Sequence, residues 1–572
     1  MLKKIALVLI LVVCIQFSYG QKNYFQQEVN YKIHCTLNDV NHTLSANIQI
    51  DYINRSQDTL TYIYMHLWPN GYKDRNTALC QQELNQGNSS LYFAEEKDRG
   101  FIDSLNFEVN SKSVKIEYDD SNKDYCKLIL NEPLCPGQRA VITTPFKVKI
   151  PNGKFSRLGH IGQAYAITQW YPKPAVYDQY GWHQMPYLNQ GEFYSEYGSF
   201  DVYVTLPENY VVGATGDLME DANSDNAAEI TRMDGLNVKT RIQTDNIIPT
   251  SKKDMSFPKS SDKLKTLHYH QEKIHDFGWF ADKRFHVLKD EIVLDRTGKK
   301  VTTWSLFTNN EYNLWMNSPE YIKDALKYYS NWIGDYPYNQ CTAVDGTIAA
   351  GGGMEYPNVT IIGASGNAKT LETTIVHEVG HNWFYGIFGS NEREHPWMDE
   401  GINSFYEMRY NLAKYPTIEG NKSNSLSEGL GGLNKFIGLN RLDYKEAFGF
   451  AYQLSASENN DQPVDLHAAK YTSMNYGTIV YMKTGYVMNY LKSYLGDETF
   501  DNCMRTYFDR WAFKHPYPTD LKNVFEEVSG KNLNWFFNDL INTSDKIDYK
   551  ISSIKKDAEN YELTIKENGN LR

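Results

Sequence analysis

The sequence predicts a multidomain α+β protein, and three observations lead to this fold class. Residues 21–255 carry alternating and β-branched segments with no helical period, which predicts an N-terminal antiparallel β-domain. Residues 256–545 begin with strands and a helix and then become mainly helical, which predicts an α/β domain with a mainly helical lower half. Residues 546–572 return to a strand pattern and predict the start of a small C-terminal β-domain.

Strand and helix patterns set the expected elements of the two larger domains. In the N-terminal domain, β-branched and alternating residues between turn residues predict five strands, at 42–52, 59–67, 113–117, 140–150 and 199–206. In the second domain, the patterns predict strands at 285–289 and 300–306 and helices at 319–333 and 471–491. Ser318 is the expected cap of the helix that begins at Pro319. The polar residues 246–270 predict a crossing between the two domains.

Residues 1–20 have the pattern of a signal peptide. Lys3 and Lys4 give a positive start, residues 5–15 are apolar, and Ser18-Tyr19-Gly20 forms a small-residue cleavage site before Gln21. The apolar run is short for a membrane span, so we expect export to the periplasm or the extracellular space. An uncleaved N-terminal anchor is the alternative. No later stretch is apolar enough to predict a transmembrane span after cleavage.

Charge and cysteine content narrow the classes of partner and site. The net charge of −12, with no basic run, argues against nucleic acid as a partner. Six cysteines follow the leader, and Cys126 and Cys135, which flank an expected hairpin, are the best candidate disulfide pair. No Cys-x-x-Cys occurs, so a thiolate metal site is not indicated. Composition does not indicate an oligomeric state.

Two further segments allow two interpretations each. The Ser- and Gly-rich residues 419–438 predict an insertion, with a lid over the site as the alternative. The strand patterns at 547–554 and 561–565 predict a hairpin, and a lone hairpin is marginally stable. We therefore expect that the chain is cut inside a C-terminal β-domain; the alternative is a hairpin that packs on the helical part.

The stretch His377-Glu378-Val379-Gly380-His381 predicts a metal-binding helix. Side chains four residues apart on a helix lie roughly 40° apart on one face, so both imidazoles can reach one ion. Glu378 lies close to the same place, which is the spacing of a zinc helix that carries its own general base. Thr373 or Thr374 is the expected cap, and Gly386 and Gly389 are the expected end of this helix. The alternative is a buried helix with two hydrogen-bonded core histidines.

A catalytic zinc site needs three protein ligands and one open position. Eighteen residues separate His381 from Glu400, which begins a predicted helix from Asp399 to about Leu412. Glu400 is therefore the expected third ligand. Glu407, on the same helix face, is a candidate hydrogen-bond partner for a ligating histidine, with a solvated glutamate as the alternative.

At this point the sequence resembles a known family, the gluzincin metallopeptidases of the aminopeptidase N and leukotriene hydrolase family. The resemblance runs from about Tyr31 to Asn542 and is strongest between Gly351 and Leu491. The residues that carry it are Gly352-Gly353-Met354-Glu355, His377-Glu378-x-x-His381, Glu400 and Tyr481-Met482-Lys483. It implies a thermolysin-like α/β catalytic domain, one Zn²⁺ per chain, and peptide substrates with a free N-terminus.

The resemblance also implies roles for individual residues. Glu355, with the strand of Gly352, Gly353 and Met354, is expected to bind the substrate's N-terminal ammonium, helped by Gln169. Gln169 lies in a loop region dense in aromatic and polar residues; its alternative role is to satisfy the backbone at a strand end. The sequence departs from the commonest family pattern at Tyr356, where Asn is usual, which puts the subfamily and the shape of the first pocket in question.

Tyr481 is the expected donor to the oxyanion, because a tyrosine hydroxyl beside a catalytic metal can donate to developing negative charge. Tyr476, five residues earlier, is the second candidate. The segment after Tyr481 carries one more residue before its glycine than the family pattern.

Three functions compete at this stage. The first is an exported zinc aminopeptidase, in which Glu378 is the general base. The second is a zinc endopeptidase, which differs in whether Glu355 closes the cleft beyond one residue. The third is a catalytically silent binding or scaffold protein of the same fold, which the presence of His377, Glu378, His381 and Glu400 disfavours.

Overall fold

The computed structural model describes residues 24–119, 121–219, 224–239, 254–346, 352–416, 442–557 and 560–569. The predicted signal peptide, 1–20, and the loop at 419–438 lie outside the described residues. Among the described residues, no helix combines the length and the apolar character needed to cross a membrane.

The N-terminal domain is built on a nine-stranded sheet. Its longest strands alternate buried apolar and exposed polar residues, as in Glu28–Asn38 and Thr43–Ile53, so that one face of the sheet packs on the core. In spatial order the strands are Asp217–Leu218, Leu264–Ile274, Gly198–Pro207, Glu28–Asn38, Thr43–Ile53, Arg139–Lys149, Glu108–Val109 and Lys112–Ser113, with Phe101–Asp103 also paired to Arg139–Lys149. All pairs are antiparallel except Glu28–Asn38 with Gly198–Pro207, so the sheet is mixed where the sequence predicted an antiparallel one.

Three smaller sheets complete this part of the chain. One contains Lys173–Pro174, Leu60–His66, Tyr125–Leu134 and Lys115–Tyr118; a second contains Gly159–Ile161, Ala164–Ile167, Trp279–Asp282 and Val211–Ala214; the third pairs Tyr177–Asp178 with Gly181–Trp182. The helices in the described residues of this part are Ala78–Asn85 and Asn226–Leu236, with 3₁₀ turns at Trp68–Tyr72 and Glu96–Asp98.

The predicted domain boundary at 255/256 and the predicted cysteine pair both need correction. Leu264–Ile274 and Trp279–Asp282 pair with strands of the N-terminal sheets, so that part of the fold extends past the predicted boundary. The sequence analysis included most of Leu264–Ile274 in the crossing between the domains. This strand has a polar pattern because only one of its faces is apolar. Cys126 and Cys135 lie at the beginning and just beyond the end of one strand, Tyr125–Leu134, about 30 Å apart along the extended chain, which is too far for a disulfide.

The second domain begins with a five-stranded sheet in the order His286–Val293, Lys300–Phe307, Gln340–Asp345, Val359–Ile362 and Gly353–Tyr356. The three central strands are parallel and the two outer ones antiparallel, and Gly353–Tyr356 is the edge strand. The helix Ser318–Trp332 packs under this sheet. Ser318 is the first residue of this helix, and Asn317 takes the cap position. The Ser318 hydroxyl does not cap the helix, since it donates to the Trp315 carbonyl at 2.6 Å.

The remainder of the domain is helical, as predicted. Among the described residues, its further α-helices are Tyr312–Trp315, Ala368–Gly380, Glu400–Lys414, Tyr444–Ser457, Ser473–Asn475, Thr484–Leu495, Asp497–Trp511 and Pro518–Ser529. The π-helical segments there are Tyr476–Lys483 and Trp535–Ile541, and the 3₁₀ turns are Pro396–Met398 and Ala468–Lys470. We call Ala368–Gly380, with His381 as its C-cap, the two-histidine helix, and Glu400–Lys414 the Glu400 helix. Tyr549–Asp557 and Asn560–Glu567 form the predicted C-terminal hairpin, and Ile551, Ile554, Leu563 and Ile565 on it are exposed.

The two-histidine helix begins earlier and ends earlier than the sequence predicted. The Asn367 side chain caps it by accepting from the Thr370 amide at 2.9 Å, so Thr373 and Thr374 lie inside the helix. It ends at Gly380, before Gly386 and Gly389, because the side-chain amides of Asn382 and Asn403 donate to the carbonyls of Val379 and His377 at 2.9 and 2.7 Å and so satisfy the last turn.

Taken together, the sheets and helices confirm the predicted multidomain α+β fold class.

Candidate metal centre and substrate cavity

Three donor atoms meet between the two-histidine helix and the Glu400 helix. His377 and His381 present their Nε2 atoms 3.1 Å apart, and Glu400 Oε2 lies 3.2 Å from each. All three side chains are nearly buried. A tetrahedral ion at about 2.0–2.1 Å from each donor requires donors about 3.3 Å apart, so these three side chains fit a single Zn²⁺.

Two carboxylates behind the histidines fix the orientation of the rings. Glu407 Oε2 lies 2.7 Å from His377 Nδ1, and Asp399 Oδ1 lies 2.5 Å from His381 Nδ1. Each Nδ1–H therefore donates outward, which leaves the Nε2 lone pair facing the shared point. Glu407 is 7% exposed and also accepts from the Tyr444 hydroxyl, so it is not a solvated glutamate. The sequence analysis gave no role to Asp399, although it directly precedes Glu400.

The electrostatics of this cluster follow from crowding of opposite charges. Although burial lowers the pKa of His377, its hydrogen bonds to Glu400 and Glu407 outweigh burial and raise the pKa to about 10. Burial raises the pKa of Glu400, but the charge of His381 and the hydrogen bonds from both imidazoles hold it below its ordinary value. These side chains bind a metal ion only in their deprotonated forms, so metal binding would release protons and strengthen as pH rises.

Glu378 lies beside the donor cluster, where the two-histidine helix contacts the edge strand. Its Oε2 is buried without a hydrogen-bond partner in the described part of the chain. Burial raises its pKa to about 7, against the lowering effect of the two histidine charges. The strand approaches so closely that a Cβ at Gly353 would lie 2.3 Å from Glu378 Oε1, so any larger residue at this position would displace the Glu378 side chain.

A cavity of about 490 Å³ opens over these groups. Of the residues predicted to form the site, those that line the cavity are Gly352, Gly353, Met354, Glu355, His377, Glu378, Glu400, Glu407 and Tyr481. Its size is within the range of small-ligand sites.

Glu355 and Glu192 form an acidic end of this cavity. One carboxylate oxygen of each lies within 4.8 Å of the other and of Glu400. Glu355 Oε1 is buried without a hydrogen-bond partner among the described residues. Burial, together with the charges of Glu192, Glu400 and Glu378, raises the pKa of Glu355 well above its ordinary value. An unpaired buried carboxylate of this kind fits a cationic ligand group.

Glu192 was not predicted, and Gln169, which was, lies elsewhere. Gln169 is buried outside the cavity lining, where its amide nitrogen donates to Asp276 at 3.2 Å and its oxygen accepts from the Tyr356 hydroxyl at 3.2 Å. Its φ of +47° turns the chain so that this side chain joins the buried Asp276 network. Glu192 reaches the cavity because it forms a buried ion pair with Arg157, which also lines the wall.

Tyr356 does not shape the cavity. Its ring packs with Val211, Phe280 and Phe285 in a buried cluster behind the edge strand, and it is not part of the lining. The departure from the family pattern at this position therefore alters the support of the strand and not the wall of the first pocket.

Both candidate tyrosines line the cavity from the π-helical segment Tyr476–Lys483. The Tyr481 hydroxyl donates to Glu400 Oε1, and its ring stacks on His377. The Tyr476 hydroxyl is buried with no partner among the described residues. A π-helical turn holds one residue more than an α-helical turn, so this segment accommodates the extra residue before Gly485.

The comparisons with known proteins agree with this geometry. Residues 319–540 match the sequence pattern of the peptidase family M1 domain. Aminopeptidase M1-B of Oryza sativa subsp. japonica is 27% identical over 171 residues, which are 30% of this chain and 17% of the rice protein. Leukotriene A-4 hydrolase of Xenopus laevis is 27% identical over 202 residues, which are 35% of this chain and 29% of that protein. The chain thus matches less than a third of the length of these relatives.

Among solved structures, an M1 zinc metallopeptidase from Deinococcus radiodurans superimposes with a TM-score of 0.57 at 13% identity. The superposition covers 91% of this chain and 94% of that one. At this identity the likeness shows the fold, which is shared over nearly the whole chain.

The Glu407 contact generates a prediction about metal binding. Glu407→Gln should lower Zn²⁺ affinity about 10- to 100-fold, because loss of the carboxylate weakens the orientation and basicity of His377. Competition against a chromophoric chelator measures the affinity. Glu498→Gln, an exposed glutamate in a neighbouring helix, is the matched control and should bind like wild type. Equal affinities for both variants would show that Glu407 does not support the ligand.

Proposed function

We propose that the protein is a zinc-dependent aminopeptidase that removes N-terminal residues from peptides, which is supported by the match of residues 319–540 to the peptidase family M1 domain. The observation that carries the proposal is the pair of carboxylates Glu355 and Glu192, one of them without a partner, beside the donor cluster of His377, His381 and Glu400. A carboxylate pair at this place selects a chain that ends there with a free ammonium.

Recognition of the amine follows from the charges of the acidic end. A peptide ammonium has three N–H donors and no acceptor, so it can bind both carboxylates at once. Both glutamates are about 5% exposed, so the ammonium would be bound where water screens the attraction weakly. An acetylated N-terminus carries no charge and would leave Glu355 unpaired, which is costly for a buried carboxylate.

The chain's own residues supply the remaining chemistry. A bound Zn²⁺ supplies a Lewis acid that lowers the pKa of water and polarises a carbonyl. Glu378 accepts a proton from the attacking water at its unpartnered Oε2 and passes it to the nitrogen of the leaving amine. The Tyr481 hydroxyl donates to the oxygen on which negative charge develops. The edge strand Gly353–Tyr356 offers its free backbone groups to an extended substrate.

The decisive experiment compares aminoacyl fluorogenic amides and short peptides with their N-acetylated forms, with and without a zinc chelator. We expect cleavage of the free amines alone, abolished by the chelator and restored by Zn²⁺. Glu378→Gln should lower kcat about 10²- to 10⁴-fold while bound zinc and the circular dichroism spectrum stay unchanged.

Two other outcomes would replace the proposal. Equal cleavage of the acetylated peptides would indicate an endopeptidase and remove the role of Glu355. No cleavage by protein that is shown to hold zinc would indicate a binding protein of the same fold.

The two cavity tyrosines generate a second prediction. Tyr481→Phe should lower kcat about 10²- to 10³-fold with little change in KM, because the proposed hydrogen bond from its hydroxyl to the substrate oxygen forms only in the transition state. Tyr476→Phe removes an equivalent hydroxyl from the same wall and should change kcat by only a few-fold. Steady-state kinetics on one aminoacyl amide measures both. A larger loss in Tyr476→Phe would reverse the assignment.

We also propose that the protein is exported by residues 1–20, which is supported by Lys3, Lys4, the apolar residues 5–15 and the cleavage pattern at Ser18-Tyr19-Gly20. Expression of the full chain in a bacterial host should yield a product outside the cytoplasm whose N-terminus, read by mass spectrometry, is Gln21. A chain without residues 1–20 should stay in the cytoplasm. A full-length product in the membrane fraction would indicate an uncleaved anchor.

A further inference from the structure

The cavity has a second end, which the proposed chemistry does not use. There the two-histidine helix presents one polar face, with Lys369, Thr370, Thr373 and Thr374 in the lining before His377. These positions recur at helical spacing, so they form a continuous strip that leads away from the donor cluster. Each of the four is partly exposed, whereas their neighbours Leu371, Ile375 and Val376 are buried.

The edge strand shows which way a substrate would run along this strip. Glu355 lies towards one end of the strand, and Gly352 and Gly353 towards the other. Gly353 pairs with Ile362, and the Gly363 amide donates to the Gly352 carbonyl at 2.8 Å, so the Gly352 end lies where the chain turns into the start of the two-histidine helix. A peptide whose amine is held at Glu355 and which extends past Gly353 therefore heads towards Lys369.

The ammonium group of Lys369 is positioned to bind an anionic ligand. Its Nζ donates to Asn411 Oδ1 at 2.6 Å and lies 3.5 Å from the centre of the Tyr415 ring. No carboxylate in the described part of the chain lies within ion-pair distance of it, whereas Arg157, which also lines the cavity, is paired with Glu192. An ammonium has three donors, so the contact with Asn411 leaves two for a ligand.

The position of this lysine is unfavourable without such a ligand. It lies in the first turn of a helix, where the helix dipole disfavours a positive charge. Burial lowers its pKa to about 8; Glu372 and Glu407 oppose this effect and Lys414 adds to it. The oxygens of Glu407 are already used by His377 and Tyr444, and those of Glu372 by Tyr410 and Tyr415.

Helix geometry sets the length of peptide that would fit. Lys369 lies eight positions before His377, which is about 12 Å along the helix axis. In an extended peptide each residue spans about 3.3–3.6 Å, so the C-terminal carboxylate of a tri- or tetrapeptide lies about 7–10 Å beyond its first carbonyl. A hydrogen bond of about 3 Å closes the remaining distance.

Building on the proposed aminopeptidase, we infer that Lys369 binds the C-terminal carboxylate of short peptides, so that the preferred substrates are tri- and tetrapeptides with both termini free. The cavity is then bipolar: carboxylates hold the ammonium at one end, and the lysine holds the carboxylate at the other. Lys369 acts here as a specificity-determining residue and takes no part in bond cleavage.

The test uses tri-, tetra- and octapeptides of one repeating sequence, each as the free acid and as the C-terminal amide, with the full chain loaded with Zn²⁺. For wild type, we expect kcat/KM for the free acid to exceed that for the amide about ten-fold in the tri- or tetrapeptide, mainly through KM, with no such preference in the octapeptide. Ten-fold corresponds to about 1.4 kcal/mol. Lys369→Met should bring the acid-to-amide ratio close to one, and Lys369→Glu should invert it.

Lys327→Met is the matched control, since it removes the same charge from an exposed position on the helix Ser318–Trp332. It should keep the wild-type ratio, which separates local recognition from the effect of net charge. The ratio should also fall as pH rises through about 8, because Lys369 then loses its proton, while ionisations common to both substrates cancel.

The outcomes separate this inference from the function on which it rests. Absence of cleavage of any free-amine substrate would overturn the proposed function. Cleavage with equal rates for acids and amides at every length, or a preference that survives in Lys369→Met, would overturn the role of Lys369 and leave the aminopeptidase intact.

Discussion

The site depends on one constraint, the meeting of the two-histidine helix and the Glu400 helix at a point where three donor atoms lie 3.1–3.2 Å apart. Two imidazoles and a carboxylate at this separation are stable only when protons or a cation lie between them. The outer carboxylates Glu407 and Asp399 bind the Nδ1 atoms of the two histidines and so fix both rings with Nε2 facing the shared point. The ligands for a metal ion are therefore already oriented, and metal binding would not need to order them.

The same crowding gives Glu378 its character. A carboxyl group buried beside other carboxylates resists ionisation, and its pKa rises to about 7, within the range that suits a general base near neutral pH. A divalent cation at the donor cluster acts in the opposite direction and favours the ionised form. The close approach of Gly353 places this carboxylate against the edge strand, so the proposed base and the proposed substrate backbone would lie side by side.

Local geometry made much of this site predictable from the sequence. The i, i+4 spacing of His377 and His381 places both on one face of any helix, and the fixed offset of Glu400 marks the start of a second helix. Glu192 could not be predicted in the same way, because it comes from a loop more than 180 residues before His377 in the chain and its position depends on a buried ion pair with Arg157. The position of Gln169 was equally hard to predict. The resemblance implied that Gln169 helps to bind the substrate amine, whereas a left-handed turn directs its side chain to Asp276. The strand Leu264–Ile274 was missed because pairing partners more than fifty residues away decide its structure.

In the proposed function, these non-local contacts would give the N-terminal β-domain a direct part in substrate recognition. Glu355 stands between two residues that this domain holds: the Tyr356 hydroxyl donates to Gln169, and Met354 Sδ accepts from Arg157 at 3.2 Å. Arg157 also binds Glu192, so one guanidinium group links the edge strand and the second amine-binding carboxylate. Displacement of the domain would move both carboxylates relative to the donor cluster, while His377, His381 and Glu400 would keep their positions. The capacity to hold metal thus depends on the helices, whereas the proposed restriction to chains that end at the site would depend on the contact between the two domains.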